Sequence, residues 1–105
     1  MIRGTTPLFS LHVKGIDLTT KSVYITVQQA SRKYTKTGSD LAISYDGETS
    51  TVEFSLTQEE TLSMRKGWMF VQLRCIDSSG LARSTPIREV CVGDTLYEKV
   101  IAYEP

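Results

Sequence analysis

The side chains that could do chemistry in this sequence are few and widely spaced. The single histidine, His12, falls on the polar side of the alternating run LFSLHV. Nucleophilic catalysis requires a base beside its nucleophile, and the alternation instead indicates a solvated histidine on a strand. Asp40, Asp46 and Glu48 crowd one region and could hold a hard cation. Turn chemistry accounts for the two aspartates, so we expect no metal, cofactor or catalytic site.

The two cysteines, Cys75 and Cys91, each lie inside an apolar run. A free cysteine in such a run commonly behaves as a small buried hydrophobe. The alternative is a disulfide between neighbouring strands, which a reducing compartment disfavours. Two cysteines and one histidine without CxxC spacing do not make the four ligands that structural zinc requires.

The segment SRKYTKTG is the one basic cluster, with Arg32, Lys33 and Lys36 around Tyr34. Basic residues next to an aromatic ring can follow a nucleic acid backbone and stack a base. The alternative is an edge strand whose lysines discourage aggregation. Because 12 basic and 12 acidic residues cancel, electrostatic attraction to nucleic acid is weak. We favour the edge strand and expect no nucleic acid partner.

The size and composition favour a single globular domain over residues 1–105. Hydrophobic residues make up 40% and charged residues 23% of the chain, which is an ordinary globular mixture. No apolar run approaches the roughly 20 residues that span a bilayer, and no signal-peptide core follows the N-terminus. These features predict a protein without a membrane partner and without a secretory signal.

Most of the chain alternates between apolar and polar residues, which is typical of half-buried strands. The clearest case is SVYITVQQ, where Val23, Ile25 and Val27 share one face. The pair Asp46-Gly47 separates two such runs and predicts a hairpin whose two central residues have positive φ. The residues after it, 48–50, are expected to lengthen that loop.

A short helix is predicted at residues 57–66. Thr57 followed by Glu60 fits a capping box, and Gly67 supplies a left-handed stop. Thr61 occupies the position where a hydrophobic staple would face Leu56, so the staple is imperfect. A helix this short is marginal by itself, and we interpret it as a crossover between strands. With seven to eight short strands, the sequence predicts an all-β antiparallel sandwich.

Three motifs resemble a family of small prophage proteins encoded in structural-gene modules of tailed phages of low-GC Gram-positive bacteria. They are IRGTTP (2–7), LTQEETL (56–62) and VQLR (71–74), with Gly67 and the turn Ser79-Gly80 between and after them. The similarity extends to about Val92. The layout is also similar to immunoglobulin-like sandwich modules of phage baseplate and tail adaptor proteins.

This resemblance implies a non-catalytic virion or assembly protein of the baseplate, tail or head–tail region, located in the virion or the host cytoplasm. Its partners would be other phage structural proteins, and a homo-oligomer is a further expectation. The candidate interaction residues are Trp68, Phe70, Tyr97 and Tyr103. Residues 1–7 would be an N-terminal arm or edge strand, and residues 94–105 a C-terminal arm.

Two other functions are compatible with the same sequence. One is a carbohydrate-binding module for host-surface recognition, which a sandwich fold also supports. The other is a small regulator that binds a host protein. The resemblance to phage proteins favours the structural role over these two alternatives.

Overall fold

The computed structural model describes residues 1–104, which form two packed antiparallel sheets. The strands in chain order are β1 (Leu8–Lys14), β2 (Ser22–Gln29), β3 (Arg32–Thr37), β4 (Ala42–Tyr45), β5 (Thr49–Ser55), β6 (Gly67–Ile76), β7 (Ala82–Ser84) and β8 (Arg88–Val92). One α-helix, α1 (Gln58–Ser63), connects β5 to β6. Within the described residues, no helix has the length and apolar character needed to cross a bilayer.

The strand order is that of an immunoglobulin sandwich without its first strand. One sheet has the order β1-β5-β4, and the other has β3-β2-β6, with β7 and β8 both pairing with β6. In an immunoglobulin domain, strands B, E and D share one sheet, and strands C, F and G share the other. Here β1, β5 and β4 take the first set of places, whereas β2, β6 and β7–β8 take the second. The predicted all-β sandwich is confirmed.

The core lies between the two sheets and is built from every second residue of the central strands. Val23, Ile25 and Val27 of β2 are buried, as the alternation predicts, and face Val52 and Phe54 of β5 in one cluster. The aromatic rings of Phe9 and Phe54 stack with centroids 5.1 Å apart. Both sheets therefore contribute apolar side chains to a single interior, which fixes the register of the strands.

The helix begins as predicted but ends early. Thr57 caps it, accepting from the Glu60 amide, and the Glu60 carboxylate accepts from the Thr57 amide in return. The predicted end at residue 66 is wrong, because Met64 is already extended. Its side chain is fully buried, and the Gln29 side chain bonds both the amide and the carbonyl of Arg65. Gly67 is thus the first residue of β6 rather than the helix stop.

The predicted hairpin between β4 and β5 is present, but its turn lies one residue later. Gly47 has a φ of +99°, whereas Asp46 and Glu48 do not have positive φ. The central pair is therefore Gly47-Glu48, the pattern of a type II′ turn. Asp46 accepts from the amides of Glu48 and Thr49 at 2.8 Å, which lets β5 start at Thr49 without the longer loop that we predicted.

Candidate interaction surface

Two of the predicted interaction residues lie side by side on the outer face of β6. Alternate residues of this strand, from Met69 onward, point into the core, so the residues between them face outward. Trp68 is 57% exposed and Phe70 is 40% exposed. Cys91 of β8 lies opposite Trp68 in the strand pairing. We call this outward side of the five-stranded sheet the β6 face.

Further large apolar side chains extend the β6 face. Ile87, from the link between β7 and β8, is 61% exposed and lines a shallow depression together with Phe70 and Gln28. Tyr24 of β2 and Ile76 of β6 are also exposed. Exposed apolar residues that cluster on one side of a sheet mark a contact site more often than scattered ones do.

The N-terminal arm, residues 1–7, is docked against the end of β8 and against α1. Its backbone pairs with Gly93, which donates to the Met1 carbonyl at 2.6 Å and accepts from the Arg3 amide at 2.9 Å. On the other side, the Gly4 amide donates to the Thr61 hydroxyl at 3.0 Å, and that hydroxyl donates to the Thr5 carbonyl at 2.9 Å. The arm is therefore part of the folded domain.

Arg3 joins this arm to the root of the C-terminal tail, by which we mean residues 94–104. Its guanidinium donates to Asp94 at 2.6 Å, to Glu98 at 2.8 Å and to the Leu62 carbonyl at 2.9 Å. Hydrogen bonds with Glu98 and then Asp94 raise the pKa of Arg3. The pKa of Asp94 is lowered, mainly by its hydrogen bond from Arg3 and to a smaller extent by the one from the Thr95 amide.

The rest of the tail runs along the surface and exposes its apolar side chains. The Gln58 side chain binds both backbone groups of Ile101, at 2.9 and 3.0 Å. Tyr97 is 63% exposed and Tyr103 is 91% exposed. The exposed set also includes Leu96, Val100 and Ile101. The four predicted interaction residues thus form two groups, one on the β6 face and one on the tail.

No family model and no curated protein matches this chain.

The basic cluster on β3 is partly used inside the domain. The Lys36 ammonium contacts both carboxylate oxygens of Glu60, at 2.7 and 2.9 Å, and the Tyr34 hydroxyl is hydrogen-bonded to Ser63. These contacts hold α1 against the edge of the five-stranded sheet. Arg32 and Lys33 remain exposed on β3, which within the described residues pairs only with β2, as expected for a basic edge strand.

Glu60 gives the domain a defined sensitivity to acid. Burial acts to raise its pKa, but hydrogen bonds from Lys36 and the Thr57 amide outweigh this, so the pKa lies below its ordinary value of 4.5. A lowered pKa in the folded state adds stability above the unfolded pKa, and this stability disappears as pH falls through the folded pKa. We therefore expect Glu60→Gln to flatten the decrease of the free energy of unfolding below pH 4.5.

The measurement is urea unfolding at a series of pH values. The Lys36→Met variant removes the partner rather than the acid, and it should flatten the acid decrease in the same way. If the free energy of unfolding of both variants falls with pH as steeply as that of the unaltered protein, this role of the pair is contradicted.

Several residues that organise the surface are not among those predicted from the sequence. Arg3, Gln58 and Thr61 hold the arm and the tail, and the one signal in the sequence was the polar Thr61 at a staple position. The expectation that both cysteines are buried is wrong for Cys91, which is exposed, and right for Cys75. Val90 and Val92 face inward from β8, so Cys91 between them must face outward.

His12 and the acids stand apart from these features. His12 lies exposed on β1, with Nδ1 3.2 Å from the Thr51 hydroxyl. Asp40 and Asp46 both bind backbone amides of their own turns. Within residues 1–104, no three His, Cys, Asp or Glu side chains are gathered where they could hold a metal ion.

Proposed function

We propose that this protein is a non-catalytic structural or assembly component of a phage particle and acts as a protein–protein interaction module. The observation that carries the proposal is the exposure of large apolar side chains on the β6 face and on the tail. Such side chains supply the anchors of protein interfaces, where aromatic residues are enriched. The motifs at 2–7, 56–62 and 71–74 support the assignment to a phage particle.

The arm and the tail support the same role. The arm is held by backbone bonds to Gly93 and by Thr61, and Arg3 and Gln58 fix the tail. Much of the tail's surface, including its apolar side chains, faces solvent. An extended segment with exposed apolar residues is well suited to contact a neighbouring subunit, because it can add to a sheet edge or cover a groove.

The test is whether the protein is part of purified particles. Particles released from a host that carries this gene are separated on a density gradient, and the fractions are probed with an antibody to the protein. We expect the protein to sediment with the particles. A Trp68→Ala, Phe70→Ala double variant should be depleted from them, whereas Tyr45→Ala, an exposed aromatic on the other sheet, should be retained.

Recovery of the protein only in particle-free fractions would contradict the proposal and favour a regulator of a host protein. Binding of a host-surface sugar is tested by following Trp68 fluorescence during titration with cell-wall polysaccharide. We expect no saturable change. A saturable change that Phe70→Ala weakens would favour the carbohydrate-binding alternative.

A further inference from the structure

The outer edge of β1 is an unpaired strand edge. Within the described residues, β1 pairs only with β5. The Gly15 amide donates to the Glu48 carbonyl at 2.7 Å, and bonded pairs alternate along an antiparallel ladder. The backbone groups of Ser10, His12 and Lys14 therefore point away from β5, where they are open to a further strand.

A groove runs beside this edge, between β1 and the segment that carries β7 and β8. Its two sections have volumes of about 190 and 440 Å³ and share Val13, Lys14 and Thr85. Val71 and Leu73 of β6 lie at its apolar floor. This is the position from which the first strand of an immunoglobulin sandwich is absent here, so the seam between the two sheets is open on this side.

The free edge of β1 also lacks the protection that the edge of β3 has. Sheet edges are commonly guarded against pairing by charged residues, by proline or by being short. Over its seven residues, β1 carries a single lysine, Lys14, and no proline, whereas β3 carries Arg32, Lys33 and Lys36 over six residues. Of these two edges, β1 is the one suited to accept a strand.

The tail has the side chains that would fill this groove. In an extended chain, successive side chains point to opposite sides. One side of the tail therefore carries Tyr97, Lys99, Ile101 and Tyr103, and the other carries Leu96, Glu98, Val100 and Glu104. Among the residues that the structure describes, the groove is lined by Lys14, Arg83 and Arg88 and by no acidic residue. With Tyr97, Ile101 and Tyr103 facing the seam, Glu98 and Glu104 lie near this basic rim, and the long stem of Lys99 lets its ammonium group reach solvent.

We propose that residues 95–104 of one copy add as a strand to the free edge of β1 in a second copy. Tyr97, Ile101 and Tyr103 occupy the groove of that second copy, and Arg3 keeps the root of the tail on its own domain through Asp94. Ten extended residues span about 33 Å, enough to leave one domain and cover β1 of the next. This inference rests on the proposed role as an interaction module.

The contacts that would have to open are exposed ones. They are the ion pair of Arg3 with Glu98 and the two bonds between Gln58 and Ile101, and exposed pairs of this kind contribute little. Because each copy offers one tail and one groove, the contact is head-to-tail. It builds a ring where the rotation between copies closes, and a filament where it does not.

The test is disulfide trapping between separately prepared variants, all carrying Cys91→Ser. Val100→Cys on the tail is mixed with Ser10→Cys, His12→Cys or Lys14→Cys on β1, and with Ser44→Cys on the free edge of β4 as the matched control. We expect the best β1 mixture to give at least tenfold more cross-linked dimer than the β4 mixture. Equal yields, or no dimer with any β1 variant, would overturn the inference.

A second measurement uses the chain without residues 95–105. Light scattering should show an oligomer for the full chain and the monomer mass for the shortened one, with the thermal unfolding midpoint unchanged. A monomeric full chain, or an oligomer that survives the deletion, would overturn the inference. An intramolecular cross-link in the His12→Cys, Val100→Cys double variant, with no dimer, would place the tail on its own domain and overturn it too.

The two proposals fail in distinguishable ways. Tail-to-β1 cross-links in a protein that never sediments with particles would leave this inference standing and contradict the phage role. Sedimentation with particles by a protein whose tail does not cross-link to β1 would do the reverse.

Discussion

Replacement of Phe54 by alanine is expected to lower the free energy of unfolding by about 3–5 kcal/mol. The side chain is only 2% exposed and stacks on Phe9 in the layer between the sheets. Its removal loses the transfer free energy of a phenyl group and leaves a cavity that the two sheets cannot fully close. Urea unfolding followed by far-ultraviolet circular dichroism measures the change.

Phe70→Ala is the matched control, because it removes the same group from the β6 face, where the ring is 40% exposed. We expect this change to cost no more than about 1 kcal/mol. A loss for Phe70→Ala comparable with that for Phe54→Ala would mean that the β6 face is part of the stabilising core. It would then not be a surface free to bind a partner.

Replacement of Thr61 by valine should loosen the N-terminal arm and cost about 1–3 kcal/mol. Valine has nearly the same shape as threonine but removes the hydroxyl that bonds the Gly4 amide and the Thr5 carbonyl. Because Thr61 is fully buried, water cannot take the place of those bonds without opening the contact. Amide hydrogen exchange of residues 1–7 and urea unfolding are the two measurements.

Thr61→Ser keeps the hydroxyl and deletes only a methyl group, so the arm should stay protected from exchange in that variant. If the amides of the arm exchange equally slowly in the valine and serine variants, the contacts of Arg3 and Gly93 alone hold the arm. The assignment of Thr61 as its anchor would then be wrong.

The half-buried strands were predictable from sequence because only one register places all of their apolar side chains in the core. A shift of one residue in β2 would turn Val23, Ile25 and Val27 to solvent, and the predicted and observed bounds of this strand agree. The capping box was predictable for a similar reason, since both of its bonds depend on Thr57 and Glu60 alone.

Two predicted boundaries were wrong, one because of distant contacts and one because of a local side-chain bond. The helix ends before residue 66 because Met64 is taken into the core and Gln29 binds the backbone of Arg65. The hairpin turn moved by one residue because the Asp46 carboxylate binds two amides and places Gly47 at the position that requires positive φ. The contacts of Met64 and Gln29 lie outside the local pattern. Asp46 lies within it, and its side-chain bonds select one of two turns that the same residues permit.

The interaction surface was only partly predictable. Trp68 and Phe70 stood out because β6 is apolar on both sides, and one of those sides must face outward. The tail carries no alternation strong enough to assign it to a strand or to a position on the domain. Its placement depends on Arg3 and Gln58, which contact residues more than 40 positions away in the sequence.

The different surroundings of the two cysteines have a practical use. Cys75 is 5% exposed in the core, whereas Cys91 is exposed on β8 directly across from Trp68. A maleimide dye should therefore attach to one position without any engineering of the chain. Attached there, it would sit next to the indole ring, and its quenching would report when another molecule covers that side of the sheet.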